Sequence, residues 1–226
     1  MSEAWPPGPS RPPRPAAELH VWRAGLDAAG WPGIEGLPAS ERERAAQMRR
    51  PGAAARWVGA RWALRGVLGL YLDEEPESVA IALDRDGKPR LEEAPERLRF
   101  NLSHSGGIAL IALGVEHQVG VDVEEVEPNR DLLALAERAL GPADVEAVRS
   151  APPAERAEEF HQRWARHEAR LKCLGVGIFR DAPPPEATVT TKDIEVAPGY
   201  AAAVAIEAPA LPPLRRWTFD LPTASI

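Results

Sequence analysis

Two long helical patterns flank a block of short strand patterns, and this arrangement constrains the fold more than any other feature of the chain. Apolar residues recur at helical spacing over residues 53–71 and again over 154–174, where Gly175 follows as a helix stop. Between them, short apolar runs alternate with glycine-containing and polar turns, which is typical of strands. The chain is therefore predicted to be α+β. Strands are predicted at Glu18–Arg23, Val79–Leu83, Leu98–Leu102, Ile108–Leu113, Val119–Glu125, Val189–Val196, Ala202–Ile206 and Arg216–Phe219, and shorter helices from a capping box at Ser40 and over Leu132–Leu140 and Ala143–Val148.

The predicted elements follow a similar order in the two halves of the chain. We expect two similar α/β lobes, residues 18–117 and 118–226, with an active site in the cleft between them. Residues 1–17 are rich in proline and poor in core-forming residues. We expect them to form a disordered arm.

Composition and charge exclude several classes of function. The chain has 226 residues and a formal net charge of −7, whereas proteins whose main partner is nucleic acid usually carry excess positive charge. Its longest apolar run, Ile108–Val115, is far shorter than the roughly 20 residues that a membrane span requires. No apolar h-region occurs near Met1, so we expect no secretory signal. The single Cys173 fits a reducing cytoplasm, and we expect it to be a buried structural thiol.

One predicted strand carries two carboxylates on the same face. In Val119–Glu124, alternation places Asp122 and Glu124 on one side together with Gly120, which would leave room for a ligand. Neighbouring carboxylates repel each other unless a cation lies between them. Mg²⁺ takes one or two carboxylates together with phosphate and water, so the pair is a candidate magnesium site. The alternative is a solvated strand face at a sheet edge.

The long helical pattern over residues 154–174 offers a third carboxylate and a cation. Glu168 and Lys172 are four residues apart and therefore share one face of the helix. They are interpreted as a third metal ligand and a phosphate contact, with Arg166 and His167 adding positive charge nearby. The alternative is an exposed helix ion pair, which contributes little to stability.

The segment Phe100–Gly107, Phe-Asn-Leu-Ser-His-Ser-Gly-Gly, is predicted to end a strand in a loop. Such a loop can offer Ser103, His104 and backbone N–H groups to a phosphate oxygen. A Ser-His nucleophile pair is disfavoured, because adjacent residues of an extended chain point apart and no acid is placed to orient the histidine.

Two further features add positive charge. The tight turn Asp86-Gly-Lys-Pro89 presents Lys88. Arginines are frequent between residues 42 and 65, and most fit a solvated helix face, but Arg61 and Arg65 are four residues apart and can share a phosphate.

Together these motifs resemble the 4'-phosphopantetheinyl transferase superfamily, in its larger, Sfp-like group. That family's pattern is a Gly-Lys-Pro turn, then Phe-Asn-x-Ser-His-Ser, then Gly-x-Asp-x-Glu, then Trp-x-x-Lys-Glu-(Ala/Ser)-x-x-Lys. The chain has these motifs in the same order at residues 87–89, 100–105, 120–124 and 164–172, and the resemblance covers residues 18–206. One position departs, since His167 stands where the pattern has lysine, and its charge would depend on pH.

The resemblance implies two lobes related by pseudo-twofold symmetry, with coenzyme A in the cleft between them. It implies that Asp122, Glu124 and Glu168 hold Mg²⁺ on the diphosphate. It also implies contacts with the coenzyme's phosphates and nucleotide from Ser103, His104, Lys172, Lys88, Arg61 and Arg65.

The resemblance further implies a reaction and a partner. A serine hydroxyl of an apo acyl or peptidyl carrier protein would attack the β-phosphorus of coenzyme A, and adenosine 3',5'-bisphosphate would leave. Glu168 is the hypothesised acceptor of the serine proton, and Lys172 and His104 can neutralise charge on the phosphates. The family further implies a monomer acting in fatty acid, polyketide or nonribosomal peptide synthesis. Because carrier proteins are usually acidic, the arginine-rich segment 42–65 is a candidate docking surface. The alternatives are a non-catalytic protein that binds coenzyme A or a nucleotide, and a metal-dependent phosphoesterase.

Overall fold

The computed structural model describes residues 5–28, 30–83, 88–93, 97–128, 131–176 and 188–221, and these form a mixed α+β structure. The predicted α+β class is confirmed. The helices are α1 Ala39–Ala46, α2 Ala53–Leu72, α3 Leu132–Ala139, α4 Pro142–Ser150 and α5 Arg156–Leu174. The strands are β1 Leu19–Gly25, β2 Ile81–Leu83, β3 Pro89–Leu91, β4 Leu98–Ser105, β5 Ile108–Val115, β6 Val119–Glu125, β7 Thr190–Asp193, β8 Tyr200–Ile206 and β9 Leu214–Phe219.

The strands form two main sheets and one small hairpin. The first sheet has the order β4-β5-β1-β9, in which only the β1–β9 pair is parallel. The second sheet has the order β6-β8-β7 and is antiparallel throughout. β2 and β3 pair with each other. Since β4 and β6 are edge strands of different sheets, their relation decides how the two sheets meet.

The apolar side chains stack the described elements as helix, sheet, sheet and helix. One face of the first sheet packs on α2 through side chains such as Trp22, Leu64 and Ile111. Its other face, including Leu110, packs on the second sheet. Small residues then join α5 to the outer face of the second sheet, including Ala169, Cys173 and Ala203. Each main sheet therefore carries one long helix on its outer face, while a pseudo-twofold relation between them stays a prediction.

Two segments differ from the predicted division into an arm and two lobes. The Trp5 side chain is 8% exposed and its Nε1 donates to the Glu195 carbonyl at 2.9 Å. Gly8 N donates to the Thr218 carbonyl oxygen at 2.9 Å. The expected disorder of the arm therefore does not hold for residues 5–8, because the indole fills the core between the sheets. In addition, β9 lies within the expected second lobe but pairs with β1 of the first sheet.

The local predictions are confirmed for most elements and wrong at three places. α1 begins after Pro38 without a side-chain cap, so the capping box at Ser40 does not form. β3 was not predicted. β4 continues to Ser105, so the predicted phosphate loop is a strand as far as the turn at Gly106 and Gly107. Among the described residues, no helix is both long and apolar enough to span a bilayer.

Candidate active site

β6 and α5 pack closely and bring the predicted acidic residues to one place. A Cβ atom on Gly120 would lie 2.0 Å from the Ala169 carbonyl oxygen and 2.6 Å from the Cys173 amide nitrogen. Any side chain at this position would therefore collide with the backbone of α5. Gly120 makes room for the helix, and not for a ligand as the sequence predicted, and it sets the distance between Asp122 and the side chains of α5.

Lys172 reaches from α5 to β6. Its Nζ donates to Asp122 Oδ1 at 2.5 Å and to Ser103 Oγ at 2.9 Å. The Ser103 hydroxyl donates to the same Asp122 Oδ1 at 2.8 Å. The Asp122 side chain is 2% exposed, and burial raises its pKa although Lys172 and Ser103 oppose the shift. Lys172 therefore pairs with the buried Asp122 carboxylate on β6. This excludes the alternative of an exposed ion pair between Glu168 and Lys172 on the surface of the helix.

Glu124 and Glu168 flank this ion pair and have raised pKa values. Burial is the main cause of the rise in the pKa of Glu124 to about 7, and the charge of Asp122 adds to it. Hydrogen bonds from Ser105 and Trp164 and the charge of Lys172 oppose the rise. Burial also raises the pKa of Glu168 to about 7, against the effect of Lys172. The three carboxylates therefore repel one another around a single ammonium group.

The donor atoms of this cluster fit a hard divalent cation. Asp122 Oδ2 and Glu168 Oε1 are buried and have no hydrogen-bond partner among the described residues. A buried, unpartnered carboxylate oxygen is costly and is a recognised sign of an ion or water at that point. Within the described ranges, no three His, Cys, Asp or Glu side chains already stand close enough together to hold a metal ion. The predicted ligand set of Asp122, Glu124 and Glu168 therefore requires side-chain adjustment upon binding.

Ser103 and Ser105 face the second sheet, on the opposite side of β4 from His104. The Ser105 hydroxyl donates to Glu124 Oε2 at 3.2 Å, and the Ser103 hydroxyl binds Asp122 as described above. Both hydroxyls are consequently engaged with the carboxylates of β6. The sequence predicted Ser103 as a phosphate contact in an open loop, and that geometry is not present.

His104 is exposed at the mouth of a groove of about 370 Å³, which Ser105 and Glu124 also line. The surrounding groove atoms lower its pKa by excluding water, and the charges of Lys172 and Arg61 lower it further. An uncharged imidazole in this position can donate or accept a hydrogen bond. A phosphate bound beside it would favour the protonated form.

Arg61 and Arg65 are buried on α2 and paired with Glu41 of α1. Arg61 Nη2 donates to Glu41 Oε1 at 2.5 Å, and Arg65 Nη2 to the same oxygen at 3.3 Å. Arg65 also donates to the Val79 carbonyl at 2.6 Å. Both guanidinium groups thus have a carboxylate partner, and a phosphate would have to share them with Glu41 or displace it. The sequence did not predict this pairing, because Glu41 lies on a different helix from both arginines.

Lys88 is bound to the C-terminal end of α5. Its Nζ donates to the Lys172 carbonyl oxygen at 2.6 Å, where a cation offsets the negative end of the helix. Lys88 also lines a separate depression of about 240 Å³ together with Arg99 and Phe100. Gly87 of the predicted turn lies outside the described residues.

The two basic residues before Glu168 interact with charges outside the acidic cluster. Arg166 Nε donates to Asp193 Oδ1 at 2.5 Å, so its guanidinium group is paired with a carboxylate of β7. Burial lowers the pKa of His167, and the charges that act on it come from Asp144 and Arg170. Neither supplies the cluster with the positive charge that the sequence predicted.

Comparisons with known proteins agree with the motif pattern. Residues 118–205 match the model of the 4'-phosphopantetheinyl transferase superfamily. The chain is 35% identical over 186 residues to 4'-phosphopantetheinyl transferase HetI of Nostoc sp., which covers 80% of this chain and 78% of that protein. It is 38% identical over 143 residues to 4'-phosphopantetheinyl transferase AcpT of Escherichia coli, which covers 62% of this chain and 66% of that protein. The chain therefore belongs to the 4'-phosphopantetheinyl transferase superfamily and is an enzyme of that class.

Proposed function

We propose that the chain moves the phosphopantetheine arm of coenzyme A to a serine of an apo acyl or peptidyl carrier protein, with Mg²⁺, and releases adenosine 3',5'-bisphosphate. The observation that carries this proposal is the convergence of Asp122, Glu124 and Glu168 around Lys172, next to the groove that holds His104. Displacement at phosphorus depends on positioning and on neutralising developing charge. A site with one fixed ammonium group and several hard oxygen donors suits a diphosphate.

The proposed metal ligands are Asp122, Glu124 and Glu168. The two orphaned oxygens, Asp122 Oδ2 and Glu168 Oε1, support this set, since a cation would satisfy both and lower the raised pKa values of the cluster. When bound, Mg²⁺ would supply positive charge to the diphosphate and its leaving oxygen.

We propose that the Lys172 side chain contacts the diphosphate directly. An ammonium group has three N–H donors. Two of them are used by Asp122 and Ser103. The third is available for a phosphate oxygen while the other two keep the side chain in position.

In the proposed step, the carrier serine oxygen forms a bond to the β-phosphorus of coenzyme A as the bond from that phosphorus to the bridging oxygen breaks. Adenosine 3',5'-bisphosphate leaves with the bridging oxygen. Glu168 is the proposed acceptor of the serine proton, because its carboxylate lies in the same cluster as Asp122 and Lys172, beside the proposed position of the diphosphate. His104 is proposed to donate an N–H to a phosphate oxygen.

We propose that Arg61, Arg65 and Lys88 supply the remaining contacts with the nucleotide. Arg61 and Arg65 are proposed to bind a phosphate through N–H groups that Glu41 does not occupy, or in place of Glu41. Lys88 is proposed to reach the nucleotide from the depression that it shares with Arg99.

We further propose that the protein is a cytoplasmic monomer of two lobes that binds coenzyme A in the cleft between them. In support, Cys173 is buried and free, and burial raises its pKa to about 12, as expected for a structural thiol.

Incubating the protein with coenzyme A, Mg²⁺ and an apo carrier protein tests the proposal when the carrier is weighed by mass spectrometry. A gain of one phosphopantetheine unit supports transfer, whereas release of nucleotide with an unchanged carrier would indicate hydrolysis. Glu168→Gln is expected to lower kcat by at least about a hundredfold. Glu158→Gln, an exposed glutamate on the same helix, serves as the matched control. Near-normal turnover of Glu168→Gln with Mg²⁺ bound would exclude Glu168 as the base.

A further inference from the structure

The tip of the β4–β5 hairpin is the turn Gly106–Gly107, which directly follows His104 and Ser105. Ser105 and Ile108 are the last paired residues of the two strands. Gly106 has a φ of 52°, as the first residue of a tight two-residue hairpin turn often requires. It also lines the groove of His104. The position of the hairpin tip therefore shapes one wall of this groove.

Tyr200 holds the hairpin tip from the other main sheet. It is the first residue of β8, and its hydroxyl oxygen accepts the Gly107 N–H at 3.0 Å. Within the described ranges this amide has no backbone acceptor, so the phenol meets a need of the turn. The Gly107 carbonyl oxygen accepts from Leu26 N, just beyond β1, at 2.8 Å. Gly107 is thus bound to residues at the ends of both main sheets.

The hairpin tip is closely enclosed on two sides. A Cβ atom on Gly106 would lie 2.5 Å from the Tyr200 hydroxyl oxygen and 2.5 Å from Glu125 Oε2. A Cβ atom on Gly107 would lie 2.5 Å from Asp27 Oδ2. Side chains from the second sheet and from the segment after β1 therefore leave the tip little room to move.

We propose that Tyr200 is a positioning residue, which holds the hairpin tip and thereby places His104 beside the phosphates of the substrate. Only Ser105 and Gly106 lie between His104 and Gly107, so a displaced tip would shift the imidazole as well. A misplacement of about 1 Å can slow a reaction markedly. The inference rests on the proposed function for its kinetic consequences. Tyr200 itself lies outside every motif of the family pattern.

Tyr200→Phe removes only the hydroxyl and is the main test. Loss of one neutral hydrogen bond corresponds to roughly a fivefold effect. We therefore expect hydrogen exchange of the Gly107 amide, followed by NMR, to accelerate about fivefold. We expect kcat/KM for coenzyme A to fall by about the same factor, because His104 would no longer be held in place.

A double-mutant cycle tests whether Tyr200 acts through His104. In the background of His104→Ala, Tyr200→Phe should change kcat/KM for coenzyme A by less than about twofold, because the contact that the phenol positions is already absent. An equal loss in both backgrounds would overturn the proposal, and so would an unchanged kcat/KM in the wild-type background. A loss of kcat/KM with unchanged exchange at Gly107 would assign the phenol to the substrate itself, and would overturn it too.

Tyr71→Phe is the matched control, since it makes the same chemical change away from the site. The Tyr71 hydroxyl is hydrogen-bonded to His20 Nδ1 at 2.7 Å, near the end of β1 that lies away from the hairpin tip. It also accepts from Trp22 Nε1 at 2.9 Å. We expect this variant to lower the Tm, while exchange at Gly107 and kcat/KM for coenzyme A stay within about twofold.

The exchange measurement separates this proposal from the proposed function. If the wild-type protein modified no carrier, the proposed function would fail. The exchange rate of the Gly107 amide in Tyr200→Phe would still decide whether the phenol holds the hairpin tip.

Discussion

Glu124 and Glu168 make the stability of the metal-free protein depend on pH. Their folded-state pKa values are raised from 4.5 to about 7 by burial. Below pH 4.5 both carboxyls are protonated in the folded and unfolded states, so no cost arises. As the pH rises through 7 they ionise in a buried site, and the stability that the protonated forms provide is lost. The loss is of the order of 3 kcal/mol per residue at most, because 1 pKa unit corresponds to about 1.4 kcal/mol.

We therefore expect the free energy of unfolding, measured by urea titration without divalent cations, to fall between pH 5 and pH 8. Glu124→Gln and Glu168→Gln should each reduce this fall, whereas Glu158→Gln, exposed on α5, should not. Mg²⁺ added at pH 8 should raise the Tm of the wild type more than that of Glu124→Gln, since a ligand of the folded state stabilises it. An equal fall in the wild type and in both variants would show that these carboxyls are not the cause.

The resemblance of the motifs to the family predicted Asp122, Glu124, Glu168 and Lys172 as neighbours. Alternation along β6 and the four-residue repeat of α5 define one face on each element. The partners of the candidate phosphate contacts could not be predicted, because Glu41 reaches Arg61 from a different helix. Such contacts depend on how elements pack, and no local pattern encodes them.

At the scale of elements, the contact between β6 and α5 depends on the absence of a side chain at Gly120. The added Cβ atom of Gly120→Ala would lie 2.0 Å from the Ala169 carbonyl oxygen, and backbone cannot move aside as a flexible side chain can. We expect α5 to shift outward and the free energy of unfolding to fall by about 3 kcal/mol. Lys172 would move away from Asp122, so kcat should fall as well.

Gly25→Ala is the matched control, since a Cβ atom at Gly25 has nothing within 4 Å and the backbone there is strand. Its free energy of unfolding should stay within about 0.5 kcal/mol of the wild type. If Gly120→Ala were as stable and active as Gly25→Ala, close packing of α5 on β6 would not be what positions the site.

The bounds of most elements followed from the sequence, and the failures have physical causes. Both ends of β6 were predicted correctly, because each face of the strand has a defined environment and turns bound it on either side. β4 was predicted too short, since Ser103 and Ser105 are typical of loops, and their place in a strand is explained only by the β6 amides that they bind. β3, only three residues long, has too little pattern to detect.

At the scale of the whole molecule, the net charge is negative, whereas one local surface is basic. The chain carries a formal net charge of −7, which would repel an acidic carrier protein. Arg44 and Arg49 are exposed, and none of the described residues forms an ion pair with either. Arg49 lies between Met48 and Arg50, which line the groove of His104. A local basic surface beside the groove can therefore guide an acidic partner that the net charge does not attract.

Charge reversal at this surface should weaken docking of the carrier without affecting the coenzyme. We expect the double variant Arg44→Glu, Arg49→Glu to raise the KM for an acidic apo carrier by about tenfold at low salt, because each reversal replaces attraction by repulsion. The effect should shrink as ionic strength rises, since exposed charges are screened. The KM for coenzyme A should stay within about twofold.

The control is Arg11→Glu, compared with the single variant Arg49→Glu. The two variants change the net charge equally, but Arg11 is an exposed residue of the N-terminal arm, so Arg11→Glu should leave both KM values unchanged. If both KM values rise together in the double variant, or if Arg11→Glu matches Arg49→Glu, the carrier does not dock at this surface.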